Sequence, residues 1–439
     1  MSLVLKHAIV CTFDPPTLAQ ADLRIEGGNI VERGQLEARE HEEVINLDGK
    51  LVLPGMVCAH THLYSALSRG MPSPPRTPTN FKEILELVWW RLDRALDEET
   101  IYWSAIVGAM DAARAGTTCL FDHHASPSHI AGSLQIVREA IERVGLRAVL
   151  CYEVTDRGGT HEREQGLDES LAFLTWLRAS PPTSSQTAPV LVRGMVGAHA
   201  SFTLSDESLD YCAELMKEFD AGLHIHAAED RWDVIDAESR YKIGVVERLA
   251  RHSALNSRTI LAHGVHLSDE DIKIAQSAGV WFAHNPRSNM NNQVGYAPLE
   301  KFGDRIVLGT DGIGGDMFEE SHFAFFKGRD ARIRFGANNW LRVLANNQVL
   351  ASEAFACDLR KLEAGSAADL IVVDYQSPTP LTTDNLAWHL MFGMNSSGVE
   401  DVMVNGKFVI RNRRSTADDG LYEEARKASE KLWEKLREI

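Results

Sequence analysis

Histidines and carboxylates gather at four points of this chain: Cys58-Ala59-His60-Thr61-His62, Leu223-His224-Ile225-His226-Ala227-Ala228-Glu229, Leu261-Ala262-His263-Gly264 and Leu308-Gly309-Thr310-Asp311-Gly312. Imidazole nitrogen and carboxylate oxygen are ligands for zinc and iron. Residues i and i+2 of a strand point to the same side, so His60 and His62 can grip one ion together. His224 and His226 repeat that spacing, which by itself leaves either of them as a third ligand. Glu229 follows on the loop leaving the strand, and a carboxylate beside a metal rather than on it moves protons in hydrolysis. His263 and Asp311 each end an apolar run. Three histidines and an aspartate around one ion leave a position open for water, as a catalytic site requires. Taken singly, His-x-His can be a polar strand end, His263 a satisfied core residue, Glu229 a solvated side chain and Asp311 a turn cap. Four such clusters in one chain, each closing a strand-like run, point instead to metal chemistry. At the middle strands the ends carry Tyr152, Glu153 and His199 and no lysine, so one metal is expected rather than a bridged pair.

Each cluster needs a strand to carry it. Apolar runs near 51–58, 117–122, 147–153, 190–198, 222–228, 258–262, 279–283 and 305–310 supply eight, most followed by helix-like segments. Alternating strand and helix favours a parallel sheet, and eight repeats favour a (β/α)8 barrel with its site at the carboxyl ends of the strands. Residues 3–53 are short β-like runs broken at Asp14-Pro15-Pro16 and Gly27-Gly28, and 364–411 look alike, with a hairpin signal at Asn405-Gly406. A small β-sandwich built from both ends of the chain is therefore expected. The division predicted is 1–54 and 364–416 for the sandwich, 55–363 for the barrel, and 417–439 for an amphipathic helix striped by Leu421, Ala425, Ala428, Leu432, Leu436 and Ile439. Asn80 with Glu83 and Ser268 with Asp271 read as capping boxes, and Asp97 as a cap for the helix running to Gly116. Residues 70–79 read as an irregular loop and a candidate lid.

The composition narrows the partners. Among 439 residues, 45 Lys and Arg against 62 Asp and Glu give a formal charge of −17. Polyanions are repelled, so nucleic acid is not an expected partner, and the substrate is expected to be small and neutral or cationic. Six widely spaced cysteines with no Cys-x-x-Cys argue against zinc ribbons and a disulfide framework. The first residues lack a leader pattern and no apolar run approaches the ~20 residues of a membrane span, so a cytoplasmic protein without membrane contact is expected.

These residues resemble the amidohydrolase superfamily, in its cytosine/guanine deaminase-like and chlorohydrolase-like branch, and are most similar to SsnA-type aminohydrolases. The resemblance is carried by Trp89 to Glu99, Asp122-His123-His124-Ala125-Ser126-Pro127, Gly222 to Asp230, Asn285 to Asn292 and Asp311 to Glu320. It covers nearly the whole chain and implies a distorted (β/α)8 barrel flanked by a sandwich from both termini. It selects His226 over His224, so that His60, His62, His226 and Asp311 hold one divalent metal, with zinc expected and iron the alternative. Asp311 would also take a proton from water, Glu229 would protonate the ring nitrogen or leaving amine, and His263 would hydrogen-bond the oxygen as charge builds on it. Trp89, His123, His124, His199, Ser288 and Asn289 are the expected substrate contacts. At most one of the adjacent Trp89 and Trp90 is expected to face the site, and helix packing is expected for most of Phe318, Phe323, Phe325 and Phe326. The activity implied is hydrolysis of a non-peptide C–N bond, deaminating a small N-heterocycle such as a purine or pyrimidine derivative. Ring opening of a cyclic amide and dehalogenation of a triazine are the enzymatic alternatives, a catalytically silent metal-binding scaffold the non-enzymatic one. A homodimer is expected from the superfamily.

Overall fold

The apolar runs are short and end in turns, and each becomes a strand. The computed structural model describes residues 2–179, 190–417 and 420–439. In chain order its strands are β1 (Ser2–Phe13), β2 (Pro16–Glu26), β3 (Asn29–Gly34), β4 (Glu43–Asn46), β5 (Leu51–Pro54), β6 (Met56–Thr61), β7 (Thr117–His124), β8 (Arg147–Tyr152) and β9 (Val192–Gly194). They continue as β10 (Val196–Ala200), β11 (Leu223–Ala227), β12 (Ile260–His263), β13 (Trp281–His284), β14 (Ile306–Leu308), β15 (Leu370–Val373), β16 (Val399–Val404), β17 (Lys407–Arg411) and β18 (Arg414–Ser415).

β6 to β9 form one parallel sheet and β10 to β14 another. β9 and β10 are two pieces of one strand broken at Met195, so the sheets together hold eight strand positions. They meet at both edges, through isolated bridges between Thr61 and Asp311 and between Val154 and Ala198. This is the distorted (β/α)8 architecture that the strand count predicted, and its two seams are where it departs from regularity. At the first seam the N–H groups of Thr310 and Asp311 both donate to the His60 carbonyl, at 2.9 and 3.0 Å. Gly309 allows that approach, since a Cβ there would stand 2.7 Å from Cβ of His60. All residues of β6, β7, β8, β11, β12, β13 and β14 are buried, as expected for parallel strands covered on both faces.

The two β-rich ends of the chain join in one nine-stranded sheet, clasped where β5 pairs antiparallel with β15 from Leu51↔Val373 to Pro54↔Leu370. The sheet curls until Asn29 bridges Ala367, enclosing Leu5, Val10, Leu23, Ile25, Val52, Leu370 and Met403. The helix Leu421–Glu438 docks on the barrel by its predicted stripe, with Trp433 Nε1 donating to the Leu67 carbonyl at 2.9 Å. Ile439, past the last turn, is exposed instead.

Local details differ from expectation where side chains found other partners. Asn80 caps its helix by accepting from Glu83 N at 3.0 Å, but the Glu83 carboxylate turns to Thr79 rather than completing a box. Ser268 caps in the same way, while Asp271 turns to the backbone of Val246 and Glu247. Asp97 forms a reciprocal box with Thr100. Residues 71–79 carry neither helix nor strand. The residues that line the cleft at the carboxyl end of the barrel pass from Ser65 to Phe81 and leave them out.

Candidate metal centre

The carboxyl end of the barrel gathers residues from four strand ends. His60 and His62 leave β6, His226 lies on β11, His263 ends β12 and Asp311 follows β14. Ligand atoms of His60, His226, His263 and Asp311 all lie within 4.8 Å of one another. His62 joins the same cluster, with Nε2 at 2.9 Å from Asp311 Oδ1 and 3.2 Å from His226 Nε2. His60 Nε2 stands 3.5 Å from Asp311 Oδ1. Ala228, His263 and Asp311 take left-handed backbone, with φ of 50°, 72° and 53°. For residues other than glycine this is unfavourable by about 1–3 kcal/mol each, and such strain concentrates at functional sites.

The outer partners aim the rings. His62 Nδ1 donates to the His123 carbonyl at 2.6 Å, and His226 Nδ1 donates to the His199 carbonyl at 2.8 Å. His263 Nδ1 lies 2.8 Å from Asn289 Oδ1. A carbonyl oxygen only accepts, so in each neutral ring the proton sits on Nδ1 and Nε2 presents a lone pair inwards. Nε2 of His60 and of His263 is buried without a hydrogen-bond partner among the described residues. Nitrogen lone pairs and a carboxylate facing one another at such distances are an arrangement that a cation satisfies. Even a proton is drawn there. Burial alone lowers His62, yet Asp311 and Glu153 outweigh it and push the ring up to about 9. Burial holds His60 down to about 3 and keeps His226 well below the ordinary histidine value. Burial would raise Asp311, but His60 and His62 hold it well below the usual carboxylate range.

Around this centre the cleft is lined by Tyr64, Phe81, Trp89, Trp90, His199 and Ser288, among others. Ser288 donates to Asp311 Oδ2 at 2.5 Å. Glu229 faces the cleft, its Oε2 3.6 Å from His263 Nε2 and its Oε1 accepting from Asn292 at 3.1 Å. Burial, with Asp311 nearby, raises Glu229 to about 7 despite the opposing influence of His263.

Several predicted contacts take other places. His123 and His124 are fully buried and do not line the cleft: Nε2 of His123 turns to the carbonyls of Ala198 and His224 while its ring packs beside His62 and His226, and Nε2 of His124 turns to Ser126 Oγ. Asn289 is spent on His263 rather than on the cleft. His224 meets His60 instead of the centre, Nε2 to Nδ1 at 2.8 Å. Trp89, His199 and Ser288 do line the cleft, and so does Trp90, which was not expected beside Trp89. Residues 85–89 form a single π-helical turn, in which successive side chains are separated by a smaller angle than in an α-helix and which recurs at functional sites. Phe318 and Phe325 pack as expected, whereas Phe323 and Phe326 are exposed. Sequence reasoning missed Asn292 and the buried ion pair of Asp93, on the cleft wall, with Arg157. The spacing of these residues carries no signal.

A barrel that brings imidazoles and a carboxylate to one point, with a further carboxyl beside them, presents a candidate metal site of a hydrolase. The chain belongs to the amidohydrolase family, whose profile matches residues 51–409, and it is an enzyme of that family hydrolysing C–N bonds. It is 30% identical over 442 residues to a 5'-deoxyadenosine deaminase of Methanosarcina mazei, covering 98% of each chain. A zinc-bound adenosine deaminase from Xanthomonas campestris shares the fold with a TM-score of 0.84 and 20% identity, over 100% of this chain and 99% of that one. A zinc-bound atrazine chlorohydrolase from Arthrobacter aurescens TC1 aligns with a TM-score of 0.81 and 23% identity, over 98% of this chain and 100% of that one. Among the described residues no helix is long and apolar enough to cross a membrane.

Proposed function

We propose that this chain is a zinc-dependent aminohydrolase that removes the amino group of a small N-heterocycle, of the purine-nucleoside class on which the M. mazei relative acts by name. The observation that carries this reading is the convergence of His60, His62, His226 and Asp311 beside a carboxyl group, Glu229, able to hold a proton near neutral pH. Those four residues would hold the metal. Bound there, a divalent cation supplies water made acidic, its pKa lowered from 15.7 towards ~7 in favourable sites. Asp311, steadied by Ser288 at Oδ2, would accept a proton from the attacking water. Glu229, oriented by Asn292, delivers a proton to the ring nitrogen or the departing amine. His263, its ring fixed by Asn289 through Nδ1, would turn Nε2 to the attacking oxygen and accept its O–H as the bond to the ring carbon forms. Trp89 and Trp90 cover the flat ring, and His199 and Ser288 meet its polar edges.

Metal-replete protein incubated with amino-substituted purines, pyrimidines, pterins and triazines is expected to release ammonia with a change in the ultraviolet spectrum. Free halide or a ring-opened product without ammonia would overturn deamination in favour of its two hydrolytic alternatives. The assembly proposed is a homodimer, supported by an exposed aromatic face. Phe326, Trp388 and Phe392 are 51%, 47% and 61% exposed, with Phe392 5.5 Å from Phe326 and 5.9 Å from Trp388 between ring centroids. Light scattering at twice the chain mass of 48.7 kDa, reduced to that mass by Phe392→Glu, is the expected result. A reducing cytoplasm is the setting proposed, supported by six unpaired cysteines.

A further inference from the structure

We infer that His224 is a positioning residue for the metal centre: by accepting the Nδ1–H of His60 it decides which nitrogen of His60 carries the proton, and so whether Nε2 meets the cation bare. The inference rests on the metal-centre reading above. His62, His226 and His263 each hand their Nδ1–H to an oxygen that can only accept, so each ring, when neutral, presents its lone pair inwards from Nε2. His60 differs from them. Its Nδ1 lies 2.8 Å from Nε2 of His224, a nitrogen that either donates or accepts depending on its tautomer. If His224 donates, the single proton of neutral His60 sits on Nε2, aimed at the centre, and the ligand is lost. If His224 accepts, Nε2 of His60 is bare and ready. The proton of His224 must then occupy its own Nδ1, which is buried without a partner among the described residues. A buried N–H left unpaired is unfavourable, so the ligand-ready pairing is the one that a bound cation favours and that His60 cannot enforce alone.

The His224-x-His226 pair is thus a division of labour. Both side chains point inwards from β11, as period two requires; one reaches the centre and the other reaches a ligand. Partners of this outer kind fix the tautomer and ring orientation of metal-binding histidines, and their loss weakens metal binding ten- to hundredfold.

The test is a zinc titration of apo-protein against a chromophoric chelator, with wild type, His224→Phe and His224→Gln in parallel. Phenylalanine keeps the ring volume and offers no acceptor, so its zinc affinity is expected to fall about 10- to 100-fold. Glutamine places an amide oxygen near the position of Nε2, an acceptor with no tautomer to choose, and is expected to stay within about threefold of wild type, well clear of that range. Cobalt(II) bound to the phenylalanine variant should show an altered visible absorption, and circular dichroism of the apo forms checks that each folds. Should His224→Phe not fold, His224→Leu carries the same contrast. Equal affinity of the apolar variant and wild type would overturn the inference. So would a glutamine variant as weak as the apolar one, since packing alone would then explain the loss. Wild type that takes up no zinc would overturn the metal-centre reading instead.

Discussion

Replacing Glu229 by glutamine isolates one proton. The substitution keeps the length of the side chain and an amide oxygen for Asn292, whose Nδ2 lies 3.1 Å from the carboxylate. Glu229 touches no ligand nitrogen of His60, His62 or His226 as a hydrogen-bond partner, so metal content should stay at wild-type level. What disappears is the acid. Largely enclosed by the cleft wall, Glu229 holds its proton up to about pH 7, and a donor of that strength matches the task at neutral pH. Loss of a general acid–base group lowers turnover by about 10²–10⁴-fold, or ~2.7–5.4 kcal/mol of barrier at 1.36 kcal/mol per tenfold. The pH profile gives the sign. A raised value keeps the acid form present below it, so the wild-type rate should fall as pH rises through about 7, and the glutamine variant should lack that limb. Steady-state ammonia release at several pH values, with elemental analysis of the same samples, measures both. Turnover within threefold of wild type at full metal content would remove Glu229 from the chemistry.

Three further outcomes follow from contacts already described. His226→Ala should lose most of its zinc by elemental analysis; a full metal complement would mean that other groups hold the ion. Ser288→Ala removes the hydrogen bond at 2.5 Å to Asp311, and the loss of a bond to a charged group, ~1.5–3 kcal/mol, should lower kcat/KM about 10- to 100-fold with the fold intact. Arg157→Met strands the buried Asp93 carboxylate and should lower unfolding free energy by ~3–5 kcal/mol in urea titrations. Burial lifts Asp93 to about 7 although Arg157 opposes it, and removing Arg157 raises it further. The folded variant therefore binds this proton more tightly than the unfolded chain, and its stability should decline as pH rises from 5 through 7.

The barrel strands and the positions of the site residues were legible because they are local. Period-two spacing put His60 and His62 on one face, and a short apolar run before each cluster announced a strand. His224 and His226 share the same spacing, and choosing between them needs the ring of His60, which lies 164 positions away in sequence. The roles of Asn289 and Asn292, and the withdrawal of His123 and His124 from the cleft lining, were equally out of reach. They depend on which carbonyl or amide happens to stand opposite each ring nitrogen. Trp90 was hidden for another reason, a π-turn that breaks the helical periodicity from which facing was judged.

The edge where the barrel shuts has a consequence for how the enzyme acquires its metal. Thr61 and Asp311, 250 positions apart, are tied backbone to side chain at 3.1 Å, beside the two hydrogen bonds that Thr310 and Asp311 give to the His60 carbonyl. The same interactions that zip the first and last staves together also bring the aspartate to the histidines. A growing polypeptide that has not yet delivered Leu308 to Asp311 carries His60, His62 and His226 but lacks both the aspartate and the seam that sets it beside them. The complete set of four side chains is therefore expected to assemble only when the first and last staves are joined.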